Sequence, residues 1–199
     1  MTSRFLFSIS AAFLAGTAAT AATITPTMPP LSDGCYQIST ATELYGFAAI
    51  VNGTDGFTKN KSACGKLNKN IVVNRSVLDS DGELNDANVA NFIPWNPLDS
   101  FSGTFDGNGL LISGLYRDVS NEADAQDVGF IRNLVGTPDG ETVIKNLGIV
   151  DSYFAVRSLY ADEAVGIFAV RVVDSDATDG KDSHVKILNC FNQSSGNYG

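Results

Sequence analysis

The sequence predicts an all-β fold: a right-handed parallel β-helix, or solenoid, with one N-terminal capping α-helix. Three observations predict it. From Phe101 onward, short β-type runs follow one another: "GTFDG", "LLISGLY", "DVGFIRNLV", "TVIKNLGIVDSYFAV", "AVGIFAVRVV" and "HVKILNCFNQSS". Turn residues and acidic stretches separate them, and no helical period of useful length survives there. The runs also echo one another. Val128-Gly129-Phe130 recurs as Val165-Gly166-Ile167-Phe168 at an offset of 37, and "VIKNLGIVDS" recurs as "VKILNCFNQS", setting Asn146 against Asn189 at an offset of 43. Imperfect repeats of that length, built from short strands and turns, point to stacked coils. Third, "FSGTFDGNGLLISGLY", residues 101–116, holds four glycines. Coil corners turn sharply and need residues that tolerate φ > 0. Gly107, Asn108 and Gly109 supply such positions, and Phe101, Phe105, Leu111 and Leu115 are the candidates for the interior. Asn146 and Asn189 are expected to stack at equivalent corners.

In chain order, residues 1–21 read as a secretory signal peptide. Arg4 precedes the apolar run "FLFSISAAFLAG", and "TAATAA" suits cleavage after Ala21 or Ala22. The run is too short for comfortable membrane spanning, and no later segment is apolar enough to cross. Removal leaves 178 of 199 residues, enough for one domain with a sizeable core. The formal charge of −9 becomes −10 once Arg4 is lost. That balance opposes nucleic acid and anionic lipid as partners, and argues mildly against pectate-like polyanions.

Residues 22–34 form an extended, proline-bearing leader. Residues 35–100 form the N-terminal cap of strand, helix, strand and loop, and residues 101–199 form the coils. "GCYQIST" reads as a strand. "TATELYGFAAIVNG" is the one good helix: Thr40 and Glu43 make a capping box, Leu44, Phe47, Ala48 and Val51 share a face, and Gly53 is the stop. "KLNKNIVVN", residues 66–74, reads as a strand. Residues 79–100 are a polar excursion closed by "FIPWNP", in which Trp95 is a packing anchor or, in a sharper reading, a carbohydrate-stacking ring. Cys35 and Cys64 lie 29 residues apart, flank the helix and are expected to pair in an exported protein. Cys190 is left over, either as a small apolar residue or as half of a bond to something outside the chain. A solenoid needs caps at both ends. The chain stops at "NQSSGNYG" with no capping segment, so the expectation is the N-terminal piece of a longer protein.

These motifs resemble bacterial secreted and cell-surface proteins carrying GLUG-type repeats. The usual pattern there is F-x-G-x-F-D-G-N-G-H-x-I-x-G-L, then V-G-x-F/L, then I-K-N-L/V; here the segments are "FSGTFDGNGLLISGLY", "VGFIRNL" and "VIKNLGIVDSYF". "YQISTATELYGFAAIVNG" resembles the helical segment that often precedes such repeats, and "IVVNRSVLD" and "FIPWNP" the linking strands, so the likeness covers roughly residues 35–195. The usual His is Leu110 here, and a later element reads Val-Gly-Ile-Phe-Ala. The resemblance implies a right-handed β-helix, an extracellular or surface location, and adhesion or scaffolding more often than catalysis. It hands over no catalytic residues.

The search for chemistry yields little. His184, the sole histidine, sits in a polar loop, and no HExxH, Walker or Rossmann pattern is present. Asp106 and Asp151, 45 residues apart, are the weak candidates for a carboxylate pair in glycan hydrolysis. In the plainer reading Asp106 shapes the FDGNG turn and Asp151 ends a strand. "DSDATDGKD" and "DSDGELND" both fail the EF-hand spacing, so no metal site and no cofactor is expected. The sequence-level reading is an exported structural or adhesive surface protein whose loops at 117–127 and 174–183 contact cell-wall or extracellular polysaccharide, or a host or surface protein. The opposing reading is a carbohydrate-active β-helix enzyme, a glycoside hydrolase or lyase, or its glycan-binding module.

Overall fold

The computed structural model describes residues 22–121, 127–138, 140–156, 164–174 and 184–198. The expected signal peptide, residues 1–21, and residues 122–126 and 175–183 of the two loops expected to make contacts lie outside the described residues. The strands are β1 (Leu31–Ser32), β2 (Cys35–Ile38), β3 (Cys64–Leu67), β4 (Ile71–Val72), β5 (Leu98–Phe101), β6 (Thr104–Ser113), β7 (Tyr116–Asp118), β8 (Val128–Gly136), β9 (Glu141–Val156), β10 (Val165–Asp174), β11 (His184–Leu188) and β12 (Phe191–Tyr198). The helix α1 spans Ala41–Asn52.

The expected β-helix is not the architecture observed. Nine strands gather in one mixed sheet, ordered β1-β2-β3-β6-β9-β11, with β4 on β6 and both β7 and β12 on β9; it curls as an open half-barrel. Three strands form a separate parallel sheet, β10-β8-β5. Two features depart from uniform coils. Asp33 and Gly34, both at positive φ, fold β1 back antiparallel onto β2. The FDGNG segment does not separate two short faces but sits inside the ten-residue β6, where Asn108 (φ 55°) and Gly109 (φ 76°) produce a register shift between Asp106 and Leu110. Such a bulge bends a strand without ending it. It also changes the strand's phase: Phe101, Phe105 and Leu115 are buried as expected, but beyond the bulge Ile112 is buried and Leu111 is not. Gly107 is not at positive φ. Its role is close approach, since a Cβ there would meet the Asn146 carbonyl and Leu147.

The repeat offsets themselves reappear as parallel pairing. Val165 and Gly166 lie against Val128 and Gly129, and Phe191 lies against Gly148. Asn108, Asn146 and Asn189 are all left-handed, and their amides climb across the sheet. Asn189 Nδ2 donates to Asn146 Oδ1 (3.3 Å), Asn146 Nδ2 to Asp106 Oδ1 (3.2 Å), and Asn108 Nδ2 to the Leu67 carbonyl (3.2 Å).

The helix starts and stops where its caps dictate. Thr40 Oγ1 accepts from Glu43 N, Glu43 Oε2 accepts from Ser39 N, and Gly53 closes the end at φ 73°. It is not one-faced, however. Leu44 through Val51 are buried without a break, because β2 and β5 take one side and the leader takes another. Thr27 N donates to the Thr42 carbonyl (3.0 Å), and Gly46 leaves room for the Thr27 backbone. Expected strand 66–74 is two short strands, β3 and β4.

Cys35 and Cys64 are bonded across register-paired positions of β2 and β3. The core is a closed circuit of rings: Phe47 meets Phe105 (5.6 Å), Phe105 meets Phe130 (5.1 Å), Phe130 stacks on Trp95 (5.6 Å), and Trp95 meets Tyr45 (5.1 Å) back on the helix. It joins α1 to both sheets. At the other end β10, β11 and β12 each pair on one side only among the described residues, and Val172, Ile187, Leu188 and Phe191 are exposed. No helix among the described residues is long and apolar enough to cross a membrane.

Candidate functional site

A cleft of about 590 Å³ opens where the end of α1, the 94–97 loop, β5, β7 and β8 meet. Its framework is built from Asn52 outward. As the last residue of α1, Asn52 accepts from Asp99 N through Oδ1 (2.8 Å) and donates through Nδ2 to the Pro97 carbonyl (2.9 Å). That clamp fixes helix, loop and β5 relative to one another. β5 and β8 run parallel with Leu98 against Ile131 and Ser100 against Asn133, so Asp99 faces Arg132 one strand away. Arg132 Nη1 donates to Asp99 Oδ1 at 2.7 Å, and its Nε donates to the Asp127 carbonyl. Asn133 Nδ2 adds a bond to the Asp99 carbonyl (3.1 Å). Arg117, Asp55 and Asn96 complete the polar wall, and the buried Val119 and Val128 form an apolar floor. Arg117 is itself partnered. Two guanidinium groups and two carboxylates balance to zero formal charge.

The sequence-predicted residues lie elsewhere. Asp106 is at the β6 bulge. Its Oδ1 accepts from Asn108 N (2.8 Å) and from Asn146, and Lys145 Nζ lies 3.5 Å from Oδ2. Burial pushes this carboxyl up, but the Asn108 N–H, the Asn146 amide and Lys145 together outweigh it and hold it below the ordinary range. An acid kept ionised this way is a poor proton donor at neutral pH. Asp151, at φ 45°, accepts from Leu78 N (2.9 Å) and lines a different hollow of about 420 Å³ with Asp79 and Gln193. Asp106 pairs in register with Lys145, six residues before Asp151 on β9. Six residues of strand rise put the two carboxyls roughly 20 Å apart, beyond the ~5–9.5 Å that glycoside hydrolysis uses. The structure does not bring them together.

Trp95 is fully buried, and its Nε1 donates to the Phe130 carbonyl (3.2 Å), which corrects the carbohydrate-stacking reading in favour of the packing anchor. His184 is exposed at the start of β11, opposite Glu141. Cys190 is half-buried against the core, where burial pushes its thiol up, as suits a small apolar residue. Among the described residues no group of three or more His, Cys, Asp or Glu is placed to hold a metal ion.

Arg117 and Val119 fall within the expected contact loop 117–127, but Asn52, Asp99 and Arg132 escaped the sequence reading. Asn52 read only as part of the helix segment, and Asp99 and Arg132 lie in separate runs. Only the β5–β8 register makes them neighbours, and neither repeat offset relates β5 to β8.

Compared with protein-family models, curated proteins and solved structures, the chain matches none. Its likeness to GLUG-type repeats rests on the motifs alone.

Proposed function

We propose that the protein is an exported structural or adhesive protein that works by contact, holding extracellular polysaccharide or a surface protein against a rigid β framework. The cleft at Asn52, Asp99 and Arg132 carries this reading. It is of ligand size, and its polar groups are held in place by one another before any ligand arrives. Pre-ordered polar groups favour binding because little freedom is lost on association. The signal-like residues 1–21, the acidic balance and the GLUG-type motifs support an extracellular setting.

The test is a combined binding and turnover screen on the purified mature chain, using soluble polysaccharides and extracellular matrix proteins. Retention with no release of reducing ends is the expected result. Turnover that disappears in Asp106→Asn or Asp151→Asn would replace this reading with the enzyme.

A further inference from the structure

The cleft's chemistry narrows what it holds, given the contact reading above. We infer that it takes a neutral oligosaccharide, recognised through vicinal hydroxyls, and discriminates against sugars carrying carboxylates. The Asp99–Arg132 pair sets acceptor oxygens beside N–H donors on one wall, with side chains 45% and 26% exposed, so both reach the cleft. A guanidinium has five N–H donors, and the framework among the described residues uses two of Arg132's. A sugar hydroxyl both donates and accepts. Two adjacent hydroxyls therefore satisfy the carboxylate and the guanidinium together without breaking the pair. The exposed amide of Asn96 adds one more donor and acceptor at the rim.

Charge decides between sugar classes. Arg117 and Arg132 are offset by Asp55 and Asp99. A uronic acid would bring an anion beside two aspartates, with Arg132 already paired to Asp99, and an amino sugar would meet two guanidinium groups. A neutral ring meets neither penalty.

The experiment is a glycan array with the purified mature chain, followed by calorimetry on the best neutral oligosaccharide and its uronic-acid counterpart of equal length. Neutral glycans should dominate the array, and the uronic counterpart should bind at least about tenfold more weakly. Arg132→Gln should weaken binding by about tenfold or more, the loss of a charged hydrogen-bonding group. Asn96→Ala should weaken it several-fold without moving Tm, since Asn96 bonds to none of the framework among the described residues; if Arg132→Gln fails to fold, Asn96→Ala decides. Acidic glycans leading the array would overturn the inference. Glycan binding unchanged in both variants would overturn this site while leaving the contact reading intact. An array with no glycan retained also overturns it, and retention of the chain on extracellular proteins then separately decides the contact reading.

Discussion

At Asp106, burial and hydrogen bonding pull in opposite directions, and the bonds win. A carboxyl whose folded value lies below its ordinary 3.8 stabilises the fold above that pH, and the stability drains away as pH falls through the folded value. The wild type should therefore lose stability through this residue as the pH falls below about 4. Asp106→Asn should be less stable at neutral pH and show a shallower acid dependence, read from urea midpoints across that range. A variant with the same acid slope would mean that Asp106 is not the group responsible. The role of Asp106 in shaping its turn was legible in "FDGNG" itself. Its partners Lys145 and Asn146 were not, because they lie 39 and 40 residues away and only strand register brings them close.

Among the elements, α1 was the most legible and still the most instructive. Its caps are local, so Thr40, Glu43 and Gly53 announce them in sequence. Its surroundings are not local, and the leader's seat on Gly46 leaves no periodic trace. Gly46→Ala makes the point measurable. Alanine is the better helix former by about 0.8–1.0 kcal/mol, yet a Cβ at Gly46 would run into the Thr27 carbonyl oxygen, with Pro29 Cδ at 3.3 Å. Overpacking of this kind costs about 1–3 kcal/mol, so the substitution should lower the urea midpoint. A rise would mean that the leader does not rest on the helix. The β6 bulge repeats the lesson: period-two reasoning placed Leu111 inside, and two left-handed residues moved the interior position to Ile112.

For the whole molecule, the echoes at offsets 37 and 43 specify which runs pair and in which direction. They do not specify how many strands share a sheet, and bends inside β6 and β9 read in sequence as corners between faces. That is why the parallel stacking was legible and the nine-plus-three division was not. Strand position also sets a gradient of order. β6 and β9 are flanked on both sides and contribute Phe105, Ile112, Ile144 and Phe154 to the core, while β10, β11 and β12 have one neighbouring strand each among the described residues. Contacts to their neighbours include the exposed Lys186–Glu141 pair, which stabilises little in water, and the half-buried Arg171–Asp127 pair. Native-state hydrogen exchange should find β6 and β9 among the slowest amides and β10–β12 opening at much lower free energy; uniform protection would contradict this. Trp95 gives the molecule one optical consequence. It is the only tryptophan, it is shielded from water, and it sits between Tyr45 of the helix and Phe130 of the smaller sheet. Its emission is therefore a single-site lamp at the joint between them: blue-shifted while helix and sheet stay together, red-shifted when they part, and blind to fraying at the distant β12 edge.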